Sequence, residues 1–454
     1  MGHRSREDVE LVDVGREPAT SPVDPTLMQR RAHAADDSKD QDMGHVEIVP
    51  NNDRKELVRL ISAGYSFFVA GVNDGSLGSL IPYVVRLYGI NTAIVSSLYA
   101  AAFSGWLLAA FSNAHLSQRL DLGAMLMLGA FLQTLANILR AWPTPPFVLY
   151  VFTFLFASLG QAYQDTHANT FVASRGGHAH RWLGFIHAMY MAGVFVAPFA
   201  SASIAASSKS SPWYLFYTVP LALGVLNMAL VLVAFRDSIK MISKPAQGSE
   251  EAGAGKSATT LVKDALSRRS VWQLSLFFFF YLGAVLTAGG WVVEYLVTVR
   301  NGDIDKMGYV SAGFGGGSLL GRILLPEPTH RFGERKMVFL YCVLCLGFQL
   351  VFWLVPNIIA ASVAISLFGF FSAPLFATGL SVGTRILPPS ISATAISFVF
   401  VFAQTGGSLF PIVTGLLGSY VGVGVLQPML VALISATGIS WLFVPQPKAE
   451  ANVA

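Results

Sequence analysis

From about residue 57 to residue 445 the chain is a succession of apolar runs separated by short polar stretches. Each run is close to the ~20 residues that a helix needs to cross the ~30 Å hydrocarbon core of a bilayer. Six fall at 58–82, 92–114, 122–142, 147–173, 182–206 and 213–235, and six more at 271–299, 308–325, 337–355, 358–379, 391–417 and 421–444. Stretches such as Phe277-Phe278-Phe279-Phe280 do not alternate, which excludes the two-residue period of a membrane-barrel strand. The pattern predicts an all-α membrane protein of twelve transmembrane helices.

Composition agrees. Charged residues make up 12% of the chain and hydrophobic ones 53%, whereas a soluble globule of ordinary make-up carries about 25% charge. The charges are also segregated: residues 1–56 hold 13 of the 26 acidic side chains. The net charge of +4 is therefore an acidic tail on a mildly basic membrane body, not a nucleic-acid signature. Residues 1–56 are polar and aperiodic, and read as a disordered cytoplasmic tail. No secretory signal precedes it, and Arg6 stands where an N-myristoylation signal needs Ser or Thr. Cys342 and Cys345 are one helical turn apart in an apolar run, and read as small core residues rather than a redox or zinc pair.

Lys and Arg set the orientation. With the N-terminus inside, the inner loops hold fifteen of them, including Arg119, Arg322 and Arg385, and the outer loops hold five, including Arg86 and Arg140. Both termini are expected in the cytoplasm. The longest inner connection, 236–270, contains a Gly/Ala/Ser-rich stretch from Gln247 to Thr260 and divides the body into bundles at 57–235 and 271–445, with a short cytoplasmic tail at 446–454.

The two bundles echo one another at an offset of 212. Gly71 matches Gly283, Leu107-Leu108 match Leu319-Leu320, and Arg119 matches Arg331. With one inserted residue, Gly193-x4-Pro198 matches Gly406-x4-Pro411. Two parallel six-helix repeats around a midplane site are the architecture of a rocking, alternating-access carrier.

Between the eighth and ninth runs, His330-Arg331-Phe332-Gly333-Glu334-Arg335-Lys336 resembles the loop motif of the major facilitator superfamily (Gly-x3-Asp-Arg-x-Gly-x-Arg-Arg). His330 replaces the usual Asp, and the first-half copy keeps only Arg119. The resemblance implies an inner-gate role for Arg331, Gly333 and Arg335. In the first run, Phe68-x-x-Gly71-x-Asn73-Asp74 followed by Leu80-Ile81-Pro82 resembles the fucose-permease-like sugar/proton symporters. So does Asp165-Thr166-His167-Ala168-Asn169-Thr170-Phe171-Val172 in the fourth, where Thr170 replaces a Pro. Fungal relatives of that branch also show the likes of Gly289-Gly290-Trp291 and the Gly-rich Gly313–Gly317, and Val285 stands where many of them carry an acid. The resemblance implies a major facilitator fold in which Asp74 and Asp165 bind substrate and proton.

The residues point the same way on their own. A charge inside a membrane helix costs at least ~2.5–3.5 kcal/mol and is functional by default; Asp74 and Asp165 lie well inside their runs. Counting 1.5 Å per residue puts Asp74 in the outer half and Asp165 in the inner half, not touching. A carboxylate in a passage that dries and wets takes up and releases protons. Gln161, Asp165 and Asn169 share a helix face, and Gln164 stands beside them. Such amides suit hydroxyl-rich solutes, or stitch the helix to its neighbours. Asn73, Tyr99, Gln404 and Trp291 are further lining candidates, each with a packing role as the alternative. Glu294 reads as a wetted structural carboxylate. No His-x3-His or carboxylate cluster suggests a metal, no cofactor is implied, and no phosphate-binding Gly-x4-Gly-Lys-Ser/Thr loop exists.

Three functions compete: a secondary carrier, a transporter-fold sensor whose tail is the effector, and an intramembrane enzyme. The last lacks any motif with usable spacing. The expectation is a monomeric plasma-membrane carrier of a sugar-like small-molecule solute with protons, without ATP or nucleic acid as partner. Proton-antiport efflux of a small organic metabolite is the alternative.

Overall fold

The computed structural model describes residues 50–143, 145–175, 179–207, 212–240 and 258–445. Most of the tail at 1–56, the centre of the 236–270 connection and nearly all of the tail at 446–454 lie outside them. The first helix, α1 (Pro50–Tyr88), begins inside the stretch read as tail. The first bundle continues with α2 (Ser97–Ser117), α3 (Leu122–Arg140), α4 (Phe147–Ala173), α5 (Ala179–Ala205) and α6 (Thr218–Phe235). The second comprises α7 (Arg269–Thr298), α8 (Ile304–Leu324), α9 (Glu334–Leu354), α10 (Ile358–Ile386), α11 (Pro389–Val421) and α12 (Leu426–Phe443). Each overlaps one apolar run. Among the described residues, ten helices are long and apolar enough to cross a membrane; α1 and α8, which carry Asp74 and Arg322, are not in that set.

Local chemistry marks the helix starts. The Asp121 carboxylate accepts from the Leu122 N–H at 2.7 Å, and Asn357 accepts from Ile359 and Ala360 at 2.8 and 3.0 Å. Each satisfies backbone donors that the first turn of a helix leaves open. Pro388 and Pro389 open α11, where a missing N–H costs nothing. The connection between the bundles is not bare linker: Ala258–Leu266 is helical, Ala265 is buried, and the segment packs on α11 and α7.

The sequence repeat is a packing repeat. A side chain at Gly71 would collide with the Tyr190 carbonyl of α5, and one at Gly283 with Phe410 of α11. Gly193 meets the backbone of Phe68 and Val72 on α1, and Gly406 meets that of Phe279 on α7. The α1–α5 contact of one bundle is thus the α7–α11 contact of the other. Small residues at such crossings let backbones approach closely. The bundles meet through α5 with α8 and α2 with α11, two pairs that the same repeat interchanges.

Helix α1 ends at Tyr88; that end of the molecule is called the Tyr88 end, and the opposite one the Arg119 end. At the Tyr88 end the halves are tied together. Tyr83 on α1 donates to Asp305 Oδ1 on α8 at 3.0 Å, the Ser203 and Tyr309 hydroxyls lie 2.9 Å apart, and Thr92 donates to the Gly415 carbonyl at 2.8 Å. A side chain at Gly78 of α1 would strike the Gly289 carbonyl of α7. Several polar ties at the Arg119 end stay within one half. Arg59 donates to the Ala234 carbonyl, Arg335 to the Leu442 carbonyl, and Arg385 pairs with Glu334.

Candidate functional site

Asp74 lies one turn below the Gly78–Gly289 closure. Gly71 and Gly75 press α1 against α5, and Asp74 turns toward α4 and α5. Its Oδ2 accepts from Gln161 Nε2 at 2.8 Å and from the Tyr190 hydroxyl at 2.9 Å, and its Oδ1 accepts from Asn73 Nδ2 at 3.1 Å. Yet Asp74 is exposed. A carboxylate in mid-helix, bonded to two neighbouring helices and beneath a contact between the halves, is exposed to the gap that separates those halves.

Behind it stands a charge that the positive-inside count placed in an outer loop. Arg140, the last residue of α3, is 1% exposed. Its Nη1 donates to Asn73 Oδ1 at 2.7 Å and its Nε to Thr153 Oγ1 at 2.7 Å. Its guanidinium lies 4.0 Å from the centre of the Phe154 ring and 5.2 Å from that of Tyr217. Burying a cation in this way is costly without compensation. Aromatic faces supply part of it, and the Asp74 carboxylate, one amide away, attracts it electrostatically. Asn73 joins the two charges by giving its oxygen to Arg140 and its nitrogen to Asp74.

Asp165 follows Gln161 by one turn of α4, and its Oδ1 accepts from Asn169 Nδ2 at 3.2 Å. The expected stripe of Gln161, Asp165 and Asn169 is therefore present. The carboxylates do not bond to each other; they interact electrostatically through a region spanned by Gln161 and Tyr190. Gln164 faces elsewhere. It is 3% exposed, accepts from Gln133 at 2.8 Å and Asn227 at 3.2 Å, and donates to the Leu126 carbonyl at 3.0 Å. It stitches α3, α4 and α6 together.

Tyr99 and Trp291 meet where α2 joins α7, with ring centres 6.1 Å apart. Trp291 is 1% exposed and donates to the Pro411 carbonyl at 3.0 Å, so its indole is spent on packing. The buried Tyr99 hydroxyl has no hydrogen-bond partner among the described residues. Gln404, half-buried on α11, makes no hydrogen bond among the described residues. Glu294 is buried, not wetted: it is 4% exposed, with Arg86 as its electrostatic partner.

The motif at 330–336 lies at the Arg119 end. Gly333 adopts φ +95°, a conformation that L side chains rarely take, between the short helix Pro326–Phe332 and α9. Arg335 donates to the Leu442 carbonyl at 2.7 Å while the Trp441 indole donates to the Arg335 carbonyl at 3.0 Å, fastening α9 to α12. Arg331 is exposed beside Phe332. The ion pair of Glu334 with Arg385, absent from the sequence reading, links α9 to α10.

Sequence reasoning missed the interior Arg140, Tyr190 and Arg322, and also the buried amides Gln133, Asn227, Gln349 and Gln427. The signal for the arginines was faint: each is a lone cation within two residues of a helix end, where loop anchors also stand.

Comparison with known proteins fits this architecture. The model of the Major Facilitator Superfamily matches residues 64–411. "Bypass of stop codon protein 6" of Saccharomyces cerevisiae is 25% identical over 413 residues, which is 86% of this chain and 82% of that protein. Among solved structures, a bacterial homologue of the human lysosomal transporter Spinster, inward-facing and unoccupied, superposes with a TM-score of 0.64. It is 13% identical, over 86% of this chain and 94% of its own. The Escherichia coli fucose:proton symporter superposes with a TM-score of 0.61 at 18% identity, over 85% of this chain and 98% of its own.

Proposed function

Because the chain belongs to the Major Facilitator Superfamily, we propose that this transporter carries a small, hydroxyl-rich, sugar-like solute together with protons by alternating access. The observation that carries the reading is Asp74 exposed in the gap between the halves while bound by donors from α1, α4 and α5. When ionised, the carboxylate occupies all three donors. When protonated it becomes a donor itself, and one of the three is released to a solute hydroxyl. Proton and solute thereby share one set of hydrogen bonds, which is the differential interaction that coupling requires. Asp165, one turn further along the gap, is the second proton site. Asn73, Gln161, Asn169 and Gln404 are the polar contacts of the solute, Tyr99 presents a free hydroxyl where the halves close, and Arg331, Gly333 and Arg335 hold the Arg119-end gate.

The fold shared with a fucose:proton symporter and the motifs around Asp74 and Asp165 support this assignment. The charge bias of the loops supports an orientation with both termini in the cytoplasm, in a reading of the carrier as a plasma-membrane monomer. A specific observation favours proton-antiport efflux as the second reading: α7, α10 and α11 contribute rings, with Phe376 and Phe400 stacked 5.7 Å apart, which suit a flat apolar solute. Accumulation of labelled hexose in proteoliposomes under an imposed pH gradient tests the choice. Gradient-driven accumulation is expected, and gradient-driven extrusion, or indifference to the gradient, overturns symport.

A further inference from the structure

Helix α8 meets α5 along a line of residues spaced by seven, two turns of helix. A side chain at Gly308 would meet Ala202 Cβ at 2.7 Å, and one at Gly315 would meet the Val194 carbonyl at 2.9 Å and Phe195 Cα at 3.0 Å. The next position on that line is Arg322. The contacted residues of the antiparallel α5 fall by about the same step, so Arg322 comes level with His187, one turn from Tyr190, and it interacts electrostatically with His187, Tyr190 and Tyr281. The glycine line that closes the halves thus ends in an arginine whose electrostatic partners lie on both halves, His187 and Tyr190 on α5 and Tyr281 on α7. At the repeat offset of 212, Gly308, Gly315 and Arg322 correspond to Ser96, Phe103 and Ala110, so packing at this crossing does not demand a cation.

Arg322 is also without an acceptor. No hydrogen bond or ion pair holds it among the described residues, and its Nε is buried with no partner. Neither interior aspartate is among its electrostatic partners. Asp74 has Asn73, Gln161 and Tyr190, with Arg140 behind, and Asp165 has Asn169. We propose that Arg322 binds an oxyanion on the transported solute, so that the cargo is a hydroxyl-rich organic acid, a sugar carboxylate or sugar phosphate, rather than a neutral sugar. The proposal rests on the carrier reading of the same gap and adds the charge of the cargo. A guanidinium presents a planar fork that matches carboxylate and phosphate oxygens two at a time.

Thermal unfolding of the purified full-length protein, titrated with glucuronate, glucose 6-phosphate and glucose at matched ionic strength, tests it. At least one of the anions is expected to stabilise the wild type more strongly than glucose, and which one does so distinguishes carboxylate from phosphate. Arg322→Gln is expected to weaken that anion by roughly thirtyfold or more, the loss that accompanies removal of one member of a buried charge pair, and Arg322→Lys to weaken it less. Equal stabilisation by glucose, no stabilisation by either anion, or unchanged anion affinity in Arg322→Gln overturns the proposal. If the variants do not fold, gradient-driven uptake by the wild type decides: labelled glucuronate or glucose 6-phosphate over glucose supports it, and glucose over both overturns it. Hexose accumulation that follows the pH gradient with no anion preference would refute the charge of the cargo and leave the carrier standing. Arg322-dependent anion binding without any response to pH would do the reverse.

Discussion

The charge on Asp74 is not held by that residue alone. Its partners run back through Asn73 to Arg140 and Thr153, from the gap to the buried end of α3. A relay of this kind is expected to behave as one unit. Asn73→Ala and Arg140→Gln should each lower the initial uptake rate by roughly ten- to a hundredfold, because each removes a charge-assisted hydrogen bond worth ~1.5–3 kcal/mol. The double variant should be no slower than the worse single one, since both cut the same path; losses that multiply would refute the relay. Initial rates in proteoliposomes, with the unfolding temperature as a check on folding, measure this. At this scale the sequence was legible where cost singles a residue out. Asp74 and Asp165 stand in apolar runs where a charge needs a reason, and the stripe from Gln161 to Asn169 follows from helical spacing. The direction a side chain takes at a helix end is not legible in that way. Arg140 and Arg322 occupy positions that also suit solvated anchors, and only the fold turns them inward. Tyr190 is one tyrosine among 14, and Gln164, next to Asp165, looked like a lining group until the structure occupied both ends of its amide.

Among the elements, α8 and α5 decide how the halves meet. The glycines of α8 were legible as close-packing positions, and the partner helix was not, because a single sequence carries no pairing information. The approach of Gly418 on α11 to Thr92, across the halves at the Tyr88 end, makes a covalent test available: a Cβ at Gly418 would lie 3.9 Å from Thr92 Cβ. Disulfides form when Cβ atoms lie ~3.5–4.5 Å apart, so Thr92→Cys with Gly418→Cys should cross-link without added spacer and arrest transport until a reductant is supplied. Failure to cross-link, or transport undiminished by the cross-link, would contradict closure of the Tyr88 end. The bulkier change Gly78→Leu puts a side chain where the Gly289 carbonyl stands. It should bias the protein away from this closed end and raise labelling of a cysteine placed at Tyr83 by a membrane-impermeant thiol reagent; unchanged labelling would remove α1 from the closure. The boundaries of the elements were read well where prolines or polar residues mark the flanks, as at Phe147–Ala173, and less well where a helix runs past its apolar core, as at Ile358–Ile386.

For the whole molecule, the repeat is what turns twelve apolar runs into a machine. The pairs α5–α8 and α2–α11 exchange under it, and both close the same Tyr88 end, Gly308 meeting Ala202 as Gly415 meets Ser96. The two halves differ where it matters for coupling: the carboxylates belong to α1 and α4, and the second half supplies rings and Arg322. In the proposed coupling, proton binding in one half is felt through the gap by the other, beginning at the two aspartates. The direct measurement is uptake by proteoliposomes as a function of an imposed pH gradient, for the wild type, Asp74→Asn and Asp165→Asn. The account predicts gradient-driven accumulation by the wild type, and variants that still exchange solute across a symmetric membrane but no longer respond to the gradient. Full, pH-dependent accumulation by both variants would contradict it.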